Sequence, residues 1–168
     1  MMSWNRRLGL AIALLIPIVA LGAMTLLKNH LRQSGVIITL PIEGFDPRDL
    51  LSGHYLSYTV DYAAGDCPSD TDAAAVCLEP ERSITAADAI PTPCTVYIIG
   101  SCATGRFEAD IERFYIPEAY AGLLDQKVRN KQGALELSVN NNGKAVIRDL
   151  LIDGVSWQQA VTLPDNTP

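Results

Sequence analysis

The first 32 residues of this chain and the remainder follow different hydrophobic patterns. From Leu8 to Leu27 there is no alternation at all, only 20 residues without a charged side chain. Arg6 and Arg7 stand just before this run, and Lys28, His30 and Arg32 just after it. A helix rising about 1.5 Å per residue carries such a run across about 30 Å, the thickness of a bilayer's hydrocarbon core. Pro17 is tolerated in a membrane helix. A secretory signal needs an apolar stretch of only about 7–15 residues and a small-residue cleavage site. Ala20-Leu21-Gly22 offers such a site, yet the apolar run continues through Met24, Leu26 and Leu27. The pattern therefore predicts an uncleaved anchor.

Beyond the anchor the rhythm is that of short strands. Val36-Ile37-Ile38-Thr39-Leu40 is β-branched and predicts a strand that Pro41 and Gly44 interrupt. Asp46 to Leu51 reads as a tight helical turn, with Asp46 as cap and Pro47 at the first helical position. Tyr55 to Tyr62 alternates, with Leu56, Tyr58, Val60 and Tyr62 on an apolar face, a half-buried strand. Residues 63–75 read as a loop and 74–78 as a short strand. The proline-rich stretch 79–93 reads as a second loop, with a helical turn at 85–89. Residues 94–103 and 106–116 predict a hairpin around Thr104-Gly105, and Pro117 opens a helix to Arg129. Residues 134–139 and 144–152 form a second hairpin around Asn140-Asn141-Asn142-Gly143, whose Asn-Gly step accepts positive φ. The fold class expected is mainly β (α+β): a transmembrane helix, then an antiparallel β-rich extracytoplasmic domain with one or two short helices. Residues 1–32 are the anchor, 33–162 the domain and 163–168 a loose tail.

Charge sharpens this division. All 19 acidic residues lie at or after Glu43, against 9 of the 13 basic ones, so the domain carries a formal charge of −10. Such a surface repels nucleic acid and excludes that class of partner. The Lys/Arg count on the two sides of the span is balanced at two each, with the α-amino group adding a third charge before it.

The cysteines break the tie in orientation. Cys67, Cys77, Cys94 and Cys102 all lie in the domain, and four cysteines in an exported domain imply two disulfides with three connectivities. Their spacings of 10, 17 and 8 lack the close pairs of a structural zinc site. If residues 94–102 form one strand, its ends lie about 26 Å apart, beyond the roughly 7 Å a disulfide spans. Nested pairing suits antiparallel neighbours, whose positions keep a nearly constant sum. Cys77–Cys94 and Cys67–Cys102 are therefore favoured, and Cys67–Cys77 with Cys94–Cys102 is the alternative.

The stretch Asp46-Pro47-Arg48-Asp49-Leu50-Leu51-Ser52-Gly53-His54-Tyr55 resembles the opening D-P-R-D-L-L-x-G-D-Y of the bacterial GDYXXLXY family. Ile111 to Glu118 is similar to that family's I-E-R-Y-F-V-P-E element, and the likeness extends through the hairpin from Lys144 to Gly154. His54 stands where the family has Asp, Tyr58 where it has Leu, and Val60 where it has the second Tyr. The resemblance implies a membrane-anchored extracytoplasmic domain beside a membrane partner, and it supplies no activity.

Each candidate site has a plainer role beside the functional one. Asp46, Arg48 and Asp49 suit a partner-binding knob, or simply a capped turn closed by an ion pair. Gly53 suits a turn. His54 offers a base or pH switch, with no nucleophile nominated beside it. Tyr55, Tyr58 and Tyr62 suit an aromatic binding face or core packing. Asp66, Asp70 and Asp72 lack the Gly and Glu of a calcium loop. Glu108, Asp110 and Glu112 alternate as on the solvent face of one strand, and would suit a cation or basic partner. The architecture also resembles membrane-bound signal peptidases, but no Ser-Met occurs in the domain, and Lys127, Lys131 and Lys144 sit in polar contexts. Gly9, Ala13 and Pro17 line one side of the anchor at four-residue spacing, suited to helix packing. No metal or cofactor is expected.

The sequence thus predicts a single-pass inner-membrane protein, N-terminus inside, whose disulfide-stapled periplasmic domain binds or stabilises an integral membrane or envelope protein. The alternative is an envelope hydrolase built around His54.

Overall fold

The computed structural model describes residues 2–43, 55–67, 71–103 and 105–162. Helix α1 (Met2–Gln33) runs unbroken past Pro17, and its segment Ala11–His30 has a mean hydropathy of 2.2 with nothing packed on it. It is long and apolar enough to cross a membrane. Only Ser34 and Gly35 intervene before the chain enters a sheet. Ser34 N–H donates to the His30 carbonyl (3.0 Å), and Gly35 N–H to Ser138 Oγ (3.1 Å).

Among the described residues eleven strands follow, all antiparallel: β1 (Val36–Glu43), β2 (Tyr55–Ser57), β3 (Thr59–Val60), β4 (Thr71–Glu79), β5 (Ser83–Ala86), β6 (Val96–Ala103), β7 (Arg106–Glu108), β8 (Arg113–Tyr115), β9 (Gly133–Val139), β10 (Ala145–Ile152) and β11 (Val155–Ser156). They form a five-stranded sheet in the order β11-β10-β9-β1-β3, a four-stranded sheet in the order β5-β4-β6-β7, and the pair β2-β8. Helix α2 (Ala121–Arg129) follows a single 3₁₀ turn, and α3 (Trp157–Ala160) ends the described chain. The expected mainly-β antiparallel architecture, with an apolar N-terminal helix and a few short helices, is what the structure contains.

One apolar core serves both large sheets. Leu40, Ile42, Leu135, Leu137, Leu150 and Ile152 enter it from the first, and Ala74, Val76, Ile98 and Phe107 from the second. Helix α2 closes one side with Leu124 and Val128, four residues apart and both fully buried. The sheets meet where the Asn140–Gly143 turn rests alongside β6. Ile99 N–H donates to the Gly143 carbonyl (2.8 Å), and Tyr97 Oη to the Asn141 carbonyl (3.2 Å). Gly143 has φ +76°, and a Cβ there would come within 2.4 Å of the Tyr97 ring. Both its backbone and its bareness are therefore required.

The helix end is fastened to the same sheet. β10 carries a bulge at Arg148, and the carbonyls of Ile147 and Arg148 accept bonds from Arg32 Nε (3.2 Å) and Nη2 (3.1 Å). A bulge turns carbonyls out of the ladder, and a guanidinium presents a matching fork of donors.

Several boundaries differ from the sequence expectation. β1 does not break at Pro41 but continues to Glu43. Asp61 N–H donates to the Pro41 carbonyl, so the odd positions of β1 face the short edge strand β3, where a missing N–H removes a single bond. The expected strand 55–62 splits at Tyr58 into β2 and β3, which belong to different sheets. β4 begins at Thr71 rather than Ala74, and β5 takes the first two residues of the stretch 85–89 read as a helical turn, which leaves a turn at 87–88. The second arm of the 94–116 hairpin breaks between β7 and β8. The turn read at 46–51 and the tail from 163 lie outside the described residues.

Replacing Gly143 by Val is expected to destabilise the domain by at least about 2 kcal/mol, combining strain at positive φ with overpacking. Gly154 also has positive φ (+82°) but open space around its missing side chain, so Gly154→Ala is expected to cost only about 1 kcal/mol. Urea midpoints compare the two; equal losses would show that the docked turn contributes nothing.

Candidate functional site

The two large sheets come together again at their other edges, β3 and β7, without a ladder between them. The space between these edges is a trough with two connected lobes. One of about 680 Å³ is lined by Tyr58 to Val60, Arg106 to Glu108, Asp110 and Glu112. The other, of about 580 Å³, shares Thr59, Val60, Arg106 and Phe107 and runs on past Asp61 and Asp66. Strand alternation sets its walls. Tyr58, Val60, Tyr62 and Phe107 turn inward and are buried, while Thr59, Asp61, Arg106 and Glu108 turn outward and are exposed. Tyr62 and Phe107 meet edge to face beneath the trough, with ring centroids 5.1 Å apart.

Glu112 bridges one end of the trough. Its backbone carbonyl accepts Tyr58 N–H from the β3 side (3.1 Å), and its carboxylate Oε1 accepts Ala109 N–H from the β7 side (2.8 Å). Tyr58 Oη adds a buried bond to the Ile111 carbonyl (2.7 Å). Asp110, between the two ends of this bridge, has φ +58°. Positive φ is uncommon for a residue with a Cβ, and Asp is among those that tolerate it. The expectation that Glu108, Asp110 and Glu112 form one solvent-facing row is therefore corrected. The strand ends at Glu108, and Glu112 is half-buried with its carboxylate turned back to the backbone.

Two phenols sit under this bridge. Burial first, and the Glu112 carboxylate second, hold both Tyr58 and Tyr62 well above the ordinary tyrosine range. Tyr58 Oη is satisfied, whereas Tyr62 Oη is buried with no hydrogen bond of good geometry among the described residues, although it lies near enough to the Glu112 carboxylate for that group to hold its proton on. Tyr58 and Tyr62 thus serve the core, not an exposed aromatic face.

The remaining sequence candidates scatter. Asp46, Pro47, Arg48, Asp49, Gly53 and His54 lie outside the described residues, as does Asp70; Tyr55 opens β2, opposite Tyr115 in β8. Asp66 and Asp72 are exposed. Lys127 lies in α2, Lys131 pairs with Glu43 (2.8 Å), and Lys144 belongs to the turn before β10. Gly9, Ala13 and Pro17 are exposed on α1. Among the described residues no group of three His, Cys, Asp or Glu is placed to hold a metal ion.

The cysteines close two disulfides, Cys67–Cys102 and Cys77–Cys94, each with Cα atoms 5.9 Å apart. Neither joins register partners. Cys77 lies opposite Tyr97 and Cys102 opposite Thr71. Each bond instead ties a strand residue to a cysteine just outside the neighbouring strand. Closing loops of 35 and 17 residues stabilises a chain by about 3–4 kcal/mol each in the chain-entropy picture.

Sequence reasoning missed the trough. The signal available was the pairing of two short apolar-polar alternations, 58–62 and 106–108, each followed by turn residues.

The elevated phenols have a consequence for stability. Below about pH 10 both are neutral in the folded and unfolded chain. Above it the unfolded chain loses these protons first, so stability falls as pH rises, by on the order of 1.4 kcal/mol per pH unit for each phenol. Absorbance titration at alkaline pH is expected to leave Tyr58 and Tyr62 protonated until the chain unfolds. Tyr58→Phe is expected to cost about 1–2 kcal/mol, because the buried Ile111 carbonyl loses its donor. Tyr62→Phe is expected to be neutral or slightly stabilising; a loss above about 1 kcal/mol would mean that Tyr62 Oη has a partner after all.

Residues 17–150 match the model of a protein family described as GDYXXLXY protein. No curated protein and no solved structure matches the chain.

Proposed function

The chain belongs to the GDYXXLXY family, and on that premise we propose that it is a single-pass membrane protein whose disulfide-stapled domain lies outside the cytoplasm and binds or stabilises another envelope component. The observation that carries this reading is the direct joining of an unpacked apolar helix to a domain with two disulfides. Disulfides persist on the oxidising side of a membrane. That orientation leaves Arg6, Arg7 and the α-amino group inside. The same two features support an inner-membrane anchor with the domain in the periplasm. The acidic domain, with a formal charge of −10, suits a partner that presents basic groups. The trough between β3 and β7 offers hydrogen-bonding groups and carboxylates rather than an assembled nucleophile and base, which favours binding over hydrolysis. The motif from Asp46 to Tyr55 is proposed as a second element of the contact surface; it enters β2, whose partner β8 abuts the trough through Arg113.

An alkaline phosphatase fusion after residue 162 is expected to be active, and a green fluorescent protein fusion dark. Maleimide labelling of intact and unfolded cells is expected to find all four thiols oxidised. Four free, cytosol-shielded thiols would overturn the topology. Crosslinking in native membranes is expected to yield a discrete adduct, and a chain that is never captured with another component would overturn the binding role.

A further inference from the structure

The trough is a break in hydrogen bonding, and the register shows which groups the break leaves unpaired. Asp61 N–H donates to the Pro41 carbonyl, so Val60, one residue earlier, stands at a non-hydrogen-bonded position opposite Ile42. Its N–H and C=O therefore point away from β1, into the trough. On the other wall, Ile99 N–H faces the β7 side of β6, which makes Ser101–Glu108 and Ala103–Arg106 the bonded pairs and Cys102–Phe107 the non-bonded one. The N–H and C=O of Phe107 therefore also point into the trough. Among the described residues nothing pairs with either set.

These are not ordinary solvated edges. Val60 is only 5 % exposed and Phe107 only 7 %, and buried backbone groups rarely go unpaired. One residue also suffices to bridge the gap at one end. At its closed end the single residue Glu112 reaches both walls, Tyr58 N–H with its carbonyl and Ala109 N–H with its carboxylate. Val60 stands two residues beyond Tyr58, and Phe107 two residues before Ala109. They are the next rung of the same arrangement, with no second Glu112 between them.

We propose that an extended segment of the partner enters this trough as a strand, pairing its backbone with Val60 on one side and Phe107 on the other, so that the two sheets become continuous through it. This rests on the binding role proposed above and names its site. The walls run antiparallel, so the guest is parallel to one and antiparallel to the other. Its inward side chains meet Val60, Tyr62 and Phe107 and are small or apolar. Its outward side chains pass Asp61, Glu108 and Asp110, with Asp66 further along; Arg106 and Arg113 are the opposing charges in the lining, and Glu43 is already paired with Lys131. An alternation of lysine or arginine with aliphatic residues fits both faces. Strand addition of this kind takes affinity from the main chain and specificity from alternate side chains.

The test uses the full-length chain in mild detergent and a synthetic, end-capped peptide of alternating lysine and valine. Hydrogen exchange resolved by residue is expected to show exchange at Val60 and Phe107 faster than at the paired amides of β1 and β9 in the absence of peptide, and at least about 10-fold slower exchange of both in its presence. A peptide N-methylated at its central residues is expected to lose the effect, and a glutamate-valine peptide to bind at least 10-fold more weakly. Thr59→Lys and Glu108→Lys, both at exposed positions, are each expected to weaken binding by about 2- to 5-fold. Protection already present without peptide would mean that residues 44–54 or a second copy fills the trough, and would overturn the proposal. Equal binding of the N-methylated peptide, or no protection at millimolar peptide, would overturn it too. If these amides stay unprotected while crosslinking in native membranes captures a partner on another face, this inference falls and the binding role stands. If crosslinking captures nothing, the binding role falls and takes this inference with it.

Discussion

A single backbone hydrogen bond, from Ile99 N–H to the Gly143 carbonyl, ties strand β6 of one sheet to a turn of the other. The bond itself is worth little, on the order of 1 kcal/mol. What depends on it is the approach of the two sheets. With that turn pressed against Tyr97 and Ile99, the inward faces of β1, β9 and β10 meet those of β4 and β6 over a shared core. Glu112 performs the same service on the opposite side, and does so with one residue and two different kinds of oxygen. Two small polar bridges thus flank a shared core in a fold whose large sheets have no ladder between them.

This arrangement explains why so much short-range structure was legible and the site was not. The Asn140–Gly143 hairpin announces itself through its turn residues, and α2 through Pro117 and its apolar pair. The apolar face at Tyr58, Val60 and Tyr62 is equally plain, because alternation reports burial on one face. Alternation does not report which sheet a residue joins. Tyr58 keeps the rhythm while the chain passes from β2 to β3: its N–H goes to Glu112, one position on in the β2–β8 register, and the residues after it pair with β1. β5 was hidden for a related reason. Ser83 to Ala86 is a strand only because β4 offers it an edge, and four residues among prolines carry no period of their own.

Glu112 is the residue whose role the sequence conceals most completely. Spaced two apart, Glu108, Asp110 and Glu112 look like the wet side of one strand. The left-handed turn at Asp110 removes that periodicity and sends the third carboxylate back to a backbone amide. The nested cysteine bonds are a milder instance. Position arithmetic treats both partners as strand residues facing each other, whereas Cys67 and Cys94 lie outside the strands and reach inward to them. Pro41 teaches the converse. A residue that ends most strands sits inside β1 at little cost, because the neighbour it disappoints is an edge strand of two residues.

The grip of Arg32 on the Ile147 and Arg148 carbonyls has a mechanical corollary. Only Ser34 and Gly35 separate the helix from the first strand, and both are engaged in hydrogen bonds. Such a joint has no slack. On the topology proposed above, the domain cannot swing out on a leash in search of distant targets. On that topology the short joint keeps it close to the lipid, where a tilt or rotation of the helix is passed on to the folded head.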